Sequence, residues 1–274
     1  MAVMRLALVT LVTIAIGLLT FGGYRLSRMH IIHPGRRKHV RRKRGDKQKP
    51  THLLIVLGSG GHTAEMIAML FRAITDPDPT KRLDWTNYTH RTWVVSSGDN
   101  ISAQRAKTFE EKTVRFAEEV ITGKTQNDKT RRGTYDICTV PRAREIHQPI
   151  HTAPISSLRC MKACYEVLTK RTVEEKDGET GTTTTKVDLP DLILCNGPAT
   201  ATILIFTTIL LRLFDFGGAD SRGKMRTVYV ESWARVKKLS LSGTLLSRVV
   251  DRFLVQWPQL EKVNERLEYR GVLV

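Results

Sequence analysis

The stretch Gly58-Ser59-Gly60-Gly61-His62-Thr63 sets three glycines, two hydroxyls and an imidazole side by side. It follows the apolar run His52–Leu57 and precedes a helical pattern. A glycine-rich turn between a strand and a helix exposes backbone N–H groups at the helix N-terminus, where the helix dipole also favours an anion. Two familiar phosphate loops do not fit. A Walker loop closes on Gly-Lys-Ser/Thr, whereas Gly61 is followed by His62. The dinucleotide fingerprint needs a third glycine where Thr63 stands. One reading left is an anion cradle built from Gly58, Ser59, Gly60, Gly61 and Thr63. His62 would enter the same crevice as a general base or a phosphate contact. The competing reading is a tight turn with Thr63 as a helix cap.

Three further clusters follow apolar runs. Pro141-Arg142-Ala143-Arg144-Glu145 offers Arg142 and Arg144 to a diphosphate, or is a solvated loop. Asn196-Gly197-Pro198 carries residues that tolerate the backbone angles of a tight strand-to-helix turn. In Glu231-Ser232-Trp233-Ala234-Arg235, Glu231 stands where a carboxylate can bind a sugar hydroxyl or act as base, or it pairs with Arg235. Asp76-Pro77-Asp78 matches the Asp-x-Asp metal pattern of some glycosyltransferases, but no apolar strand precedes it. Neither a metal nor a cofactor is expected.

The elements that must position these residues alternate. Strand-like runs occupy His52–Leu57, Arg91–Ser97, Tyr135–Val140, Asp191–Cys195, Thr227–Val230 and Arg252–Gln256. Helical patterns lie near Thr63–Ala73, Ser102–Phe109, Ile155–Lys170, Thr200–Phe214 and Ser242–Val250. Such alternation predicts an α/β fold, a single Rossmann-like, doubly wound parallel sheet with helices on both faces. Ligands of such folds bind beyond the carboxyl ends of the strands, where all of these clusters fall. Asp76–His90, Thr122–Gly133 and the low-complexity Val173–Asp188 read as loops or insertions. Ala199–Phe214 is apolar, but it is short for a span and contains Arg212, so a buried or membrane-facing helix is expected.

The 274 residues carry a net charge of +17. Residues 1–49 hold 12 Lys/Arg and one acid, and the rest balances at +6. The basic tract is therefore local, and without aromatic residues interleaved it does not predict nucleic-acid binding. Cys138, Cys160, Cys164 and Cys195 form no Cys-x-x-Cys pair and read as free thiols of a reducing compartment. Leu6–Tyr24 is 19 residues without a charge, enough to span a bilayer. Only Arg5 precedes it and a dense run of Arg and Lys follows, which predicts an uncleaved anchor with the body on the cytosolic side. The sequons at Asn87 and Asn100 are then unmodified.

Taken in order, "GSGGHTAEM", "SSGDNISAQRAKTFE", "PRAREIHQ", "PDLILCNGPAT" and "VYVESWARVKKLSLSGTLLSRVVDRFLVQWPQLEK" resemble one family. It is the membrane-anchor subunit of the two-subunit UDP-N-acetylglucosamine transferase of dolichol-linked oligosaccharide assembly. The resemblance implies the acceptor-binding half of a split GT-B glycosyltransferase. Residues 1–24 would be the anchor, 25–50 a basic cytosolic linker, and 51–274 the acceptor-binding domain with a partner-docking C-terminal tail. It implies residence in the endoplasmic reticulum membrane or nuclear envelope, and recruitment of a catalytic UDP-GlcNAc-binding subunit. Together the two add the second GlcNAc to GlcNAc-diphosphate-dolichol, and the chain alone transfers nothing. The alternative is a pure membrane scaffold for a self-sufficient glycosyltransferase. The glycine turn also resembles the Gly-Gly-His loop of the bacterial peptidoglycan lipid glycosyltransferase. By this resemblance the acceptor diphosphate meets Gly58, Ser59, Gly60, Gly61, Thr63, Arg142, Arg144, Asn196 and Gly197. His62 becomes the candidate that activates the acceptor hydroxyl, with Glu231 as a rival. Ala199 departs from the family's Asn-Gly-Pro-Gly-Thr, and alanine resists positive φ.

Overall fold

The computed structural model describes residues 51–113, 115, 133–144, 153–169, 188–197 and 199–274, with positions 10, 13, 17 and 20–25. Seven strands form one parallel sheet: β1 (His52–Val56), β2 (His90–Ser96), β3 (Thr134–Val140), β4 (Leu192–Asn196), β5 (Arg226–Val230), β6 (Arg252–Val255) and β7 (Leu267–Tyr269). Their spatial order is β3-β2-β1-β4-β5-β6-β7. The chain winds outward from β1 to β3, returns to β4 beside β1, and winds the other way. The order therefore reverses between β1 and β4, and that is where the predicted doubly wound sheet opens a crevice.

The helices are α1 (Gly61–Ile74), α2 (Asn100–Thr108), α3 (Ala153–Thr169), α4 (Thr200–Leu213), α5 (Leu241–Leu246) and α6 (Pro258–Glu261). β1 is buried along its whole length, as a central parallel strand must be. Its alternate residues feed two cores. Leu53, Ile55 and Leu57 pack with Met66 and Leu70 of α1, with Trp93 of β2 and with Phe109. Leu54 and Val56 pack with Ile193 and Cys195 of β4, Cys160 and Cys164 of α3, and Leu204 of α4. α1 buries Thr63, Met66, Leu70 and Ile74, the spacing of one helical face. Ala199–Phe214 is largely buried through α4, though Leu210 and Phe214 stay exposed at its end.

Among the described residues no helix is long and apolar enough to cross a membrane. Most of the anchor predicted over 1–24 lies outside the described residues, as does the linker 25–50 apart from Arg25. The described positions of that segment are helical and end at Arg25. Its guanidinium donates to the carbonyls of Leu213 at 3.0 Å and Arg212 at 3.2 Å, so it caps the C-terminus of α4. The expected insertions over 122–133 and 173–188 also fall outside the described residues, save Gly133 and Asp188.

Candidate functional site

The glycine turn connects β1 to α1 at the point where the strand order reverses. Gly60 caps α1 with φ 63° and has no side chain to accept from the first turn. Thr63, which one reading made a cap, does something else. It is fully buried, its hydroxyl donates to the Gly58 carbonyl, and it sits 2.6 Å from the Ser102 hydroxyl. Asp99 in turn accepts from the backbone and hydroxyl of Ser102, which caps α2 and ties the glycine turn to it. Among the described residues, no side chain accepts from the first-turn N–H groups of α1. A methyl group built on Gly60 or Gly61 would meet nothing within 4 Å. Ser59, Gly60 and Gly61 are exposed. The turn is open where an anion would approach.

Behind it, the backbone is closed. A Cβ on Gly58 would stand 2.7 Å from the His62 Cβ and 3.2 Å from the Gly197 Cα. A Cβ on Gly197, whose φ is 91°, would stand 3.0 Å from the Gly58 Cα and 3.2 Å from the His62 Cγ. The β1 and β4 loops therefore meet glycine against glycine, with the imidazole of His62 laid over the junction. Tyr229 steadies the β4 loop by donating to the Gly197 carbonyl at 3.3 Å. α4 also starts without a side-chain cap, at Ala199 with φ 53° and ψ −79°. The loop keeps a glycine-like conformation although alanine occupies it.

His62 and Glu65 lie three apart on α1, and the His62 Nδ1 is 3.8 Å from the Glu65 Oε2, an ion-pair distance longer than a hydrogen bond. That nitrogen is buried and has no hydrogen-bond partner among the described residues. Glu65 binds three elements together. Its Oε1 accepts from the Ser232 hydroxyl at 2.7 Å, and its Oε2 from the Asn196 amide at 3.2 Å. Burial pushes the Glu65 carboxyl up, but its contacts with His62, Ser232 and Asn196 outweigh that and hold it below the ordinary carboxylate range. An ionised carboxylate beside Nδ1 orients the ring, as in acid–base pairs. Sequence reasoning passed over Glu65 and Ser232. The i,i+3 spacing of His62 and Glu65 is a readable signal, but Ser232 reaches Glu65 from 167 positions away.

Glu231 is placed differently from the expectation. It is 2% exposed, and its Oε2 accepts from the backbone N–H and hydroxyl of Ser240, the N-cap of α5, while its Oε1 accepts from the Ser232 N–H. A Cβ on Gly243 would strike its carboxylate at 2.0 Å. This carboxylate is committed to the start of α5, and a packed, fully bonded group is poorly placed to take a proton from a ligand. Arg142 stands at the carboxyl end of β3, where its Nε donates to the Ser97 carbonyl at 3.0 Å, and Arg144 is exposed beside it. The structure thus brings Gly58 to Thr63 together with Asn196 and Gly197, and sets the two arginines two strands away on the same edge. Asp76 and Asp78 spend their carboxylates inside their own turn, on the N–H groups of Asp78 and Thr80. The C-terminal tail folds back. The Val272 carbonyl accepts from Arg72 at 2.7 Å, and Val272 and Val274 remain 39% and 40% exposed.

Fold and site together define a doubly wound α/β domain with an open glycine turn at its β1/β4 switch point and an imidazole–carboxylate pair beside it. A family model described as "Oligosaccharide biosynthesis protein Alg14 like" matches residues 53–273. The UDP-N-acetylglucosamine transferase subunit alg14 of Aspergillus fumigatus is 40% identical over 224 residues, covering 70% of this chain and 96% of its own. The mouse subunit ALG14 is 30% identical over 223 residues, covering 81% and 82%. The chain belongs to the Alg14 family. A solved UDP-N-acetylglucosamine 2-epimerase aligns with 80% of this chain and 47% of its own, at TM-score 0.39 and 12% identity, a likeness too slight to argue from.

Proposed function

We propose that this chain is the acceptor-binding and membrane-anchoring subunit of a two-chain UDP-GlcNAc transferase. In this reading it recruits a catalytic, UDP-GlcNAc-binding subunit to the cytosolic face of the endoplasmic reticulum membrane. The pair adds the second GlcNAc to GlcNAc-diphosphate-dolichol. The observation that carries the reading is the uncapped, unobstructed N-terminus of α1 at the switch point, with His62 packed on its glycine junction. The acceptor diphosphate lies against the N–H groups of Gly60 to Thr63, which offer fixed donors and the positive end of a helix dipole. Arg142 and Arg144 add cationic charge along the same edge.

In the transfer, the acceptor hydroxyl attacks the anomeric carbon of UDP-GlcNAc, the bond to UDP breaks, and the hydroxyl proton is taken up by His62. Glu65 keeps Nδ1 facing the carboxylate and leaves Nε2 for the substrate. Glu231 shapes the loop that carries Ser232. The exposed tail at Val272 and Val274 offers an apolar contact to the partner. In this reading the nucleotide-binding half belongs to the other subunit.

The test is GlcNAc transfer from UDP-GlcNAc to a lipid-diphosphate-GlcNAc acceptor by the chain, by its co-purified cytosolic partner, and by the two recombined. Transfer on recombination alone is expected. Full transfer by the partner alone would reduce this chain to a tether.

A further inference from the structure

Beside the glycine turn, α1 and α2 diverge into a groove of about 990 Å³. Its walls are apolar: Ala64, Ile67 and Phe71 from α1, and Ile101 and Phe109 from α2 and the turn after it. Ile101 is 68% exposed in the first turn of α2, a costly place for an isoleucine on a water-facing helix. The buried residues of α2 are Ser102 and Ala106, so Ile101 serves neither core cluster. The groove runs into the anion crevice. Ala64 is the fourth residue of α1, and Arg105, which also lines the groove, donates to the Gly60 carbonyl at 3.4 Å. Two cations, Arg105 and Lys112, stand on its lining, and no carboxylate of the described residues does.

An apolar trough that begins at an anion-binding turn and is bordered by cations is complementary to one kind of molecule, an anionic head on a hydrocarbon tail. We propose that the groove between α1 and α2 holds the first isoprene units of the acceptor's polyprenyl chain. This rests on the acceptor reading above and adds to it a subsite for the lipid. The diphosphate at Gly60 to His62 and the chain along Ala64 to Phe71 then follow the same helix. The subsite explains how a small sugar diphosphate is oriented in a wide crevice: the tail fixes the direction of the head. It also makes this chain selective for acceptors whose diphosphate is esterified to a long apolar alcohol.

The experiment uses the recombined complex and two acceptors, GlcNAc-diphosphate on a polyprenyl chain of dolichol length and the same head on a short, water-soluble alkyl chain. Ile101→Gln removes an exposed side chain and leaves the core alone, and Ala68→Phe, at another α1 residue of the lining, fills the groove without adding charge. Each is expected to raise KM for the long-chain acceptor about tenfold, by loss of one buried aliphatic contact for Ile101→Gln and by occlusion for Ala68→Phe, with kcat unchanged. KM for the short-chain acceptor is expected to move less than about twofold. An equal rise on both acceptors, or loss of the partner on co-purification, would overturn the subsite and assign the groove to the head group or to the partner. If the unaltered complex transfers to neither acceptor, the acceptor reading itself falls, and this inference with it.

Discussion

The two ends of β1 each carry a histidine, and the fold treats them in opposite ways. At the amino end, His52 is 6% exposed and both ring nitrogens are engaged, Nδ1 with the Asp188 carbonyl at 2.9 Å and Nε2 with the Thr92 hydroxyl at 2.9 Å. Burial is the main reason its pKa falls to about 4, with His90 adding to the shift and the Asp188 carbonyl opposing it. Past the carboxyl end, the His62 side chain is 31% exposed, and its Nδ1 faces a carboxylate without reaching hydrogen-bond distance. One ring is a finished structural part. The other has capacity left over. In parallel α/β folds the carboxyl ends of strands carry the ligand, and this contrast gives that rule a local, chemical form.

The comparison breaks most sharply if His62 is removed. His62→Ala in the recombined complex should cut turnover by about 10²–10⁴-fold, the range for losing a general base, while thermal unfolding and partner binding stay close to the parent. A small effect on turnover would remove the ring from the chemistry.

At the other end the loss is one of stability. Folded His52 titrates near 4 and its unfolded reference is 6.5. Between those values the unfolded chain binds a proton that the folded chain refuses, so stability is complete above about pH 6.5 and drains as pH falls toward 4. The drain amounts to about 3 kcal/mol by the pKa difference. Denaturant titrations at neutral pH and near pH 4.5 should show it, and His52→Gln should flatten it without changing turnover per folded molecule.

Glu65 sharpens the contrast from within the site. Glu65→Gln keeps partners for Ser232 and Asn196 but removes the charge facing Nδ1. It should lower turnover about tenfold, one charge-assisted contact of roughly 1.5 kcal/mol, with thermal unfolding close to the parent. A merely structural Glu65 would change stability and leave turnover per folded molecule in place.

The smallest effect concerns Ala199. Its φ of 53° with ψ −79° is a conformation that only glycine adopts without strain. Ala199→Gly should therefore raise stability by about 1 kcal/mol, read as an upward shift in Tm, with transfer unchanged or slightly improved.

How legible all this was in the sequence follows from the range of the forces involved. Six strands are readable because each is an apolar run bounded by loops. β7, three residues at the sheet edge, is too short to show a period. α1 begins two residues before the predicted Thr63, because helix propensity discounts Gly61 while the φ of Gly60 turns the chain into the helix. The glycine turn was legible as an open strand-to-helix turn since its cause is local. The partners of the side chains were not. Nothing near Glu231 says that its carboxylate turns to Ser240, or that Glu65 waits for Ser232 across the sheet. Those pairings depend on strand order, which is a property of the whole chain.

The central claim is that the acceptor diphosphate binds at the carboxyl end of β1, beside His62. The direct measurement is the histidine ring NMR spectrum of the full chain in detergent, titrated with lipid-diphosphate-GlcNAc. The account predicts that the His62 ring resonances shift with saturation, along with the Gly60 and Gly61 amides, while those of His52 do not move. A spectrum in which His62 stays fixed at saturating acceptor would contradict it.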